Sequence, residues 1–120
     1  MSAEDIQFFL HLRDQIKVYH WQTRVYARHM ATDKILATLD KSIDSYVEVY
    51  IGKVGRPKIT AKTGVIHVQN MSEAGAGRMI KAAIRYMSSK KFKDVDSDLG
   101  SIRDDIVADL NQLLYLFTLH

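Results

Sequence analysis

Five side chains in the first half of the chain have the types and spacing for coordination chemistry: His20, His29, Asp33, Asp44 and Glu48. His29 and Asp33 stand four apart, as do Asp44 and Glu48, so on a helix each pair spans about one turn. At about 100° per residue, these two pairs project within an arc of about 100°. That arc lies beside the apolar stripe Ile35, Leu36, Leu39, Ile43, Tyr46, Val47 and Tyr50, not opposite it. At ~1.5 Å of rise per residue, Asp33 and Asp44 are roughly 16 Å apart along the axis, so one helix cannot bring both pairs to one ion. Two copies of the helix meeting antiparallel about a twofold axis would set the His29/Asp33 end of one against the Asp44/Glu48 end of the other, giving two mixed sites. Imidazole combined with carboxylate suits iron or zinc better than calcium or magnesium. His20 joins the set because it falls on an apolar helix face, level with Ile16, where an unpaired imidazole is costly. Each feature also has a plain reading: a hydrogen-bonded core histidine, and a solvated or salt-bridged acidic edge.

Several other chemistries are excluded. The chain has no cysteine, which removes disulfides, thiolate catalysis and cysteine-ligated zinc. Its three glutamates, Glu4, Glu48 and Glu73, are followed three residues later by Gln7, Ile51 and Ala76. The Glu-x-x-His pairs that hold two metals inside one carboxylate bundle are therefore absent. With 120 residues, 47% of them apolar, the chain is expected to form one domain, residues 1–120, around one small core. The net charge of +3 does not by itself imply nucleic acid. No uncharged stretch reaches the ~18 residues of a membrane span and the start is acidic, so a cytoplasmic location and no membrane partner are expected.

The elements that must position these residues read as helices. The single proline is Pro57 and the first glycine is Gly52, so the first 51 residues hold no backbone breaker. Phe9, Leu12, Ile16 and His20 mark a first helix over about 3–22, with Ser2 and Asp5 resembling a capping box. The second stripe marks a helix over about 26–52, although periodicity also allows one long bent helix. The stretch 52–70 loses the pattern, carries four basic residues and no acid, and suits a crossover along a four-helix bundle. Asn70 and Glu73 form a capping box for a third helix over about 72–90, and Leu99 to Phe117 mark the fourth. The expected fold is all-α, a ferritin-like four-helix bundle with a long crossover between its second and third helices.

Tyr19-His20-Trp21, then His29-x-x-x-Asp33, ten intervening residues and Asp44-x-x-x-Glu48 resemble the ferroxidase motif of the mini-ferritins, the Dps family of starvation-induced DNA-protection proteins. The resemblance covers residues 19–48 closely and the rest through helix order and the crossover. It implies a half-site of His20, His29 and Asp33 in one subunit, with Asp44 and Glu48 supplied by its twofold mate and Trp21 as the nearby redox-active aromatic. It further implies Fe(II) oxidation by peroxide or oxygen, storage of ferric iron, and a homo-oligomer, a hollow dodecamer in that family. Zinc would be a substitute ion. His20 and His29 stand nine apart, closer than is usual in the family, which shortens the turn between the first two helices. The chain lacks the Lys-rich N-terminal tail that many members use on DNA, and Lys53, Arg56, Lys58 and Lys62 of the crossover are a weaker basis for that contact.

The alternative is a non-catalytic helical assembly or interaction protein of the same fold, touching nucleic acid through its basic crossover. Asp94, Asp96, Asp98, Asp104, Asp105 and Asp109 crowd the start of the fourth helix. They read as favourable charge at a helix N-terminus or, in a closed shell, as an acidic iron entry.

Overall fold

The computed structural model describes residues 3–89, 92 and 95–119. Ser2 of the first expected cap and Asp94 of the acidic stretch lie outside the described residues. Four helices form: α1 (Ala3–Gln22), α2 (Tyr26–Val54), α3 (Glu73–Met87) and α4 (Ser97–Leu116). The residues Thr23, Arg24 and Val25 are not helical, so the first two helices are separate rather than one bent rod.

α2 packs on α1 and α4, and α3 packs on α4 and α1. Contacts fix the directions. Tyr19 and Thr23, at the end of α1, bond Glu73 at the start of α3. Arg28, at the start of α2, reaches the Phe117 carbonyl just past α4. Lys53, at the end of α2, pairs with Asp98 at the start of α4. The order is therefore up, down, down, up, which requires the connector between α2 and α3 to run the length of the bundle. Phe9, Leu12, Ile16, Leu39, Tyr46, Ile80, Met87, Ile106, Leu110 and Leu113 fill the core at 1% exposure or less. Burying each such side chain contributes about 1.5–3 kcal/mol, the main force holding the four helices together.

The connector is a strap laid along α1. Gly55 ends α2 at φ 96°, a conformation that favours glycine. A tight turn follows, in which Gly64 N–H donates to the Thr60 carbonyl; a Cβ at Gly64 would lie 3.0 Å from that oxygen. Beyond the turn, three glutamines spaced along one face of α1 satisfy the strap's backbone. Gln7 Nε2 donates to the Lys62 and Val65 carbonyls at 3.1 and 2.7 Å. Gln15, 1% exposed, donates to the Gln69 carbonyl and accepts from its N–H, at 2.8 and 3.0 Å. Gln22 accepts from Met71 N–H and donates to Asn70 Oδ1. A primary amide carries a donor and an acceptor on one long side chain, so it can replace the strand neighbour the strap lacks.

Two local expectations are corrected. Asn70 and Glu73 do not form the cap of α3; Ser72 does, its Oγ accepting from Gly75 N–H at 3.0 Å. Glu73 is drawn instead toward the end of α1. Lys53 belongs to the last turn of α2, not to the crossover loop, and is paired with Asp96 and Asp98 at 3.3 and 2.9 Å. The acids at the start of α4 thus meet a cation as well as the helix N-terminus.

Candidate metal centre at the α1–α2 corner

His20 sits in the last turn of α1 and His29 in the first turn of α2, joined by the three-residue corner. The corner is held from outside by Glu73. Its carboxylate accepts from Tyr19 Oη at 2.6 Å, from Thr23 Oγ1 at 2.8 Å and from Arg24 N–H at 3.3 Å. The Arg28 guanidinium lies 3.5 Å away and also donates to Tyr19 Oη. Burial pushes the Glu73 carboxyl up, but these hydrogen bonds and the Arg28 charge outweigh it and hold the group below its ordinary range. Burial also raises the Tyr19 phenol, with Glu73 adding to the rise and Arg28 opposing it.

Inside the corner the two imidazoles stack, ring centroids 3.9 Å apart and planes 17° from parallel. His20 Nδ1 lies 2.9 Å from the His29 carbonyl and 2.9 Å from Thr32 Oγ1. His29 Nδ1 lies 2.9 Å from the His20 carbonyl. A carbonyl only accepts, so the hydrogen of each ring is on Nδ1 and each Nε2 keeps its lone pair. Neither Nε2 has a hydrogen-bond partner among the described residues. A backbone carbonyl holding the second ring nitrogen is the usual support of a metal-ligating histidine. Because the planes are nearly parallel, no single ion can lie in both, so each ring can address an ion of its own.

Asp33, Asp44 and Glu48 are exposed on one stripe of α2, with His29 half-buried at its edge. None of the three carboxylates has a hydrogen-bond or ion-pair partner among the described residues. Asp33 follows His29 by one turn, whereas Asp44 and Glu48 are about three and four turns further down. The chain thus gathers His20, His29 and Asp33 at one end of α2 and Asp44 and Glu48 at the other. Among the described residues no group of three or more histidine or acidic side chains is close enough to hold a metal by itself.

Trp21 follows His20 but turns outward, 68% exposed, with Lys17 Nζ 5.4 Å from its ring centroid. Tyr26 and Met30, in the first turns of α2, are also exposed.

The residues that sequence reasoning did not assign are Thr32, Arg28 and Glu73. Thr32 is fully buried, its hydroxyl donating to the Arg28 carbonyl at 2.8 Å and facing His20 Nδ1. A threonine three residues after His29 on the inward side of the helix was the available signal.

A family model described as a family of unknown function, DUF5856, matches residues 20–117, a span that begins at His20 and includes all five candidate ligands. Neither a curated protein nor a solved structure matches the chain. Among the described residues, no helix is long and apolar enough to cross a membrane.

Proposed function

We propose that this chain, which belongs to the DUF5856 family, is a mini-ferritin-like protein that binds Fe(II) between two copies, oxidises it and stores the ferric product. The observation that carries this reading is the division of the imidazole nitrogens: both Nδ1 hydrogens are taken by backbone carbonyls, leaving each Nε2 without a hydrogen-bond partner among the described residues, and the likewise unpartnered Asp33 follows His29 by one turn of α2. The stripe on α2 supports a twofold completion. His29 with Glu48, and Asp33 with Asp44, share one midpoint, between Thr38 and Leu39. Around it Ala37 and Thr38 are exposed and small, with the longer Lys34 and Lys41 exposed one turn to either side.

Iron is the substrate. Imidazole and carboxylate donors hold two Fe(II) ions in reach of one peroxide, which accepts one electron from each and, with two protons, leaves as two waters. The anionic carboxylates favour the more highly charged Fe(III), lowering the potential the oxidant must exceed. Trp21, exposed next to His20, is the side chain suited to supply or relay an electron when only one Fe(II) is bound.

Anaerobic Fe(II) titration followed by peroxide tests the assignment. Asp44→Ala/Glu48→Ala and His20→Ala/His29→Ala proteins should each be inactive, and mixed oligomers of the two should regain part of the activity, because one of the two sites in a mixed pair is built from intact halves. Verified mixed oligomers that stay inactive would refute the shared site.

One observation favours the non-catalytic reading: Arg56, Lys58 and Lys62 of the strap are exposed and without ion-pair partners among the described residues. Salt-dependent retention of duplex DNA by the wild type, lost in Arg56→Ala/Lys58→Ala/Lys62→Ala, would support it.

A further inference from the structure

A second site lies away from α2. Between α1, α3 and the strap is a cavity of about 410 Å³, walled by Phe8 of α1, Tyr86 of α3 and Val65 and Ile66 of the strap. Its size is within the ~300–1,000 Å³ typical of small-molecule sites. The walls are built before any ligand arrives. Gln7 holds the strap over the opening through two backbone carbonyls, at 3.1 and 2.7 Å. The Phe8 and Tyr86 rings stack with centroids 4.2 Å apart, and Tyr86 Oη donates to Asp5 Oδ1 at 2.9 Å.

The side chains free to bind in the cavity are one ammonium and two imidazoles, all able to donate hydrogen bonds to an anion. Lys62, His11 and His67 line it, and none of their side chains has a hydrogen-bond or ion-pair partner among the described residues. The one acid in the lining, Glu4, is not free. From Gly52 to Asn70 the chain carries no acid at all. Glu4, His11 and His67 do not form a metal-holding group. An inorganic anion would leave the aromatic wall wet, whereas a neutral apolar molecule would leave an ammonium and two imidazoles at the rim unanswered.

We infer that this cavity binds a small organic anion, with an apolar body of one or two rings against Phe8, Tyr86, Val65 and Ile66 and its charged group met by Lys62 and His67. No residue of α2 lines the cavity, so the inference stands apart from the iron site.

Anilinonaphthalene sulfonate and its uncharged parent, phenylnaphthylamine, differ only in the charged group and so test both halves of the inference by fluorescence titration of the full chain. The sulfonate should bind saturably, one per chain, and the parent about tenfold more weakly, the loss of one charge-assisted contact. Lys62→Ala/His67→Ala, both at exposed strap positions, should lower sulfonate affinity by about tenfold and leave the parent unchanged, with helicity intact by circular dichroism. Amide chemical-shift changes should cluster at residues 4–11, 62–67 and 86. Any of the following would overturn the inference: no saturable sulfonate binding; equal affinity for the two probes; no loss in the double variant; shift changes centred elsewhere; or inorganic phosphate competing as tightly as the sulfonate.

Discussion

Glu73→Gln isolates the charge that closes the α1–α2 corner. The substitution preserves size and one acceptor but places an NH2 group where Tyr19, Thr23 and the Arg24 amide all donate. Tyr19 Oη cannot simply reverse its role. It already accepts from Arg28 Nη1 at 2.8 Å and is 1% exposed, so an amide NH2 set toward it leaves its hydrogen without an acceptor, while the opposite amide orientation leaves the Arg24 N–H facing the NH2 group instead. An unsatisfied buried hydroxyl costs about 1–3 kcal/mol. Glu73 itself is 41% exposed, and solvent screening of its Arg28 pair favours the lower half of that range. A loss of about 1–2 kcal/mol corresponds to a fall in Tm of roughly 4–12 °C for a domain of this size. The pH dependence gives a second handle. The Glu73 pKa is depressed in the folded chain, so its contribution is fully present above the unfolded value and is lost as pH falls through the folded one. Thermal unfolding followed by circular dichroism should therefore show the widest gap between variant and wild type near neutral pH, closing on acidification below the ordinary carboxyl value of 4.5. A variant as stable as the wild type at neutral pH, or a gap unchanged into acid, would refute the role given to this carboxylate.

Gln15→Ala removes the paired hydrogen bonds that hold the strap at Gln69. The change should cost about 1–2 kcal/mol and speed tryptic cleavage at Lys58 and Lys62, with unchanged cleavage arguing that the strap is held elsewhere. Thr32→Val keeps the buried shape but removes the hydroxyl facing His20 Nδ1. Fe(II) affinity should fall about tenfold or more while stability changes by about 1 kcal/mol, and an unchanged affinity would count against His20 as a ligand.

The helices were legible because the breakers are so unevenly placed. With no glycine or proline before Gly52, apolar stripes placed α1 and α2 to within two residues, although periodicity left open whether the two were one bent helix. The crossover was legible from its length and from the loss of period, but its path was not. Gln7, Gln15 and Gln22 look like solvent-facing polar residues, and the backbone of an extended strap has no side-chain pattern to announce its partners. At the start of α3 the spacing reads as a capping box at Asn70 with Glu73, whereas Ser72 caps the helix. The pattern misleads because Glu73 is taken by Tyr19 at the end of α1, a contact that local spacing does not show.

At the site, spacing identified one stripe of α2 carrying Asp33, Asp44 and Glu48, but the stacking of His20 on His29 depends on the corner, which has no period to read. That stacking makes the plain and the functional readings of these histidines compatible. In α1 the His20 carbonyl would ordinarily take the Arg24 N–H, yet that amide is turned toward Glu73 at 3.3 Å. His29 Nδ1 fills the vacancy at 2.9 Å and so caps the end of α1. Structure uses Nδ1; metal binding would use Nε2. Substitutions can separate the two, because an asparagine amide nitrogen falls near the position of Nδ1 and a glutamine amide nearer to Nε2. His29→Asn should keep the cap, losing less than about 1 kcal/mol, while abolishing one Fe(II) per chain in an anaerobic titration. His29→Gln should lose about 1–2 kcal/mol through the unanswered carbonyl and retain measurable Fe(II) binding. If His29→Asn binds iron as the wild type does, His29 is a cap only, and the half-site at the head of α2 contains one histidine.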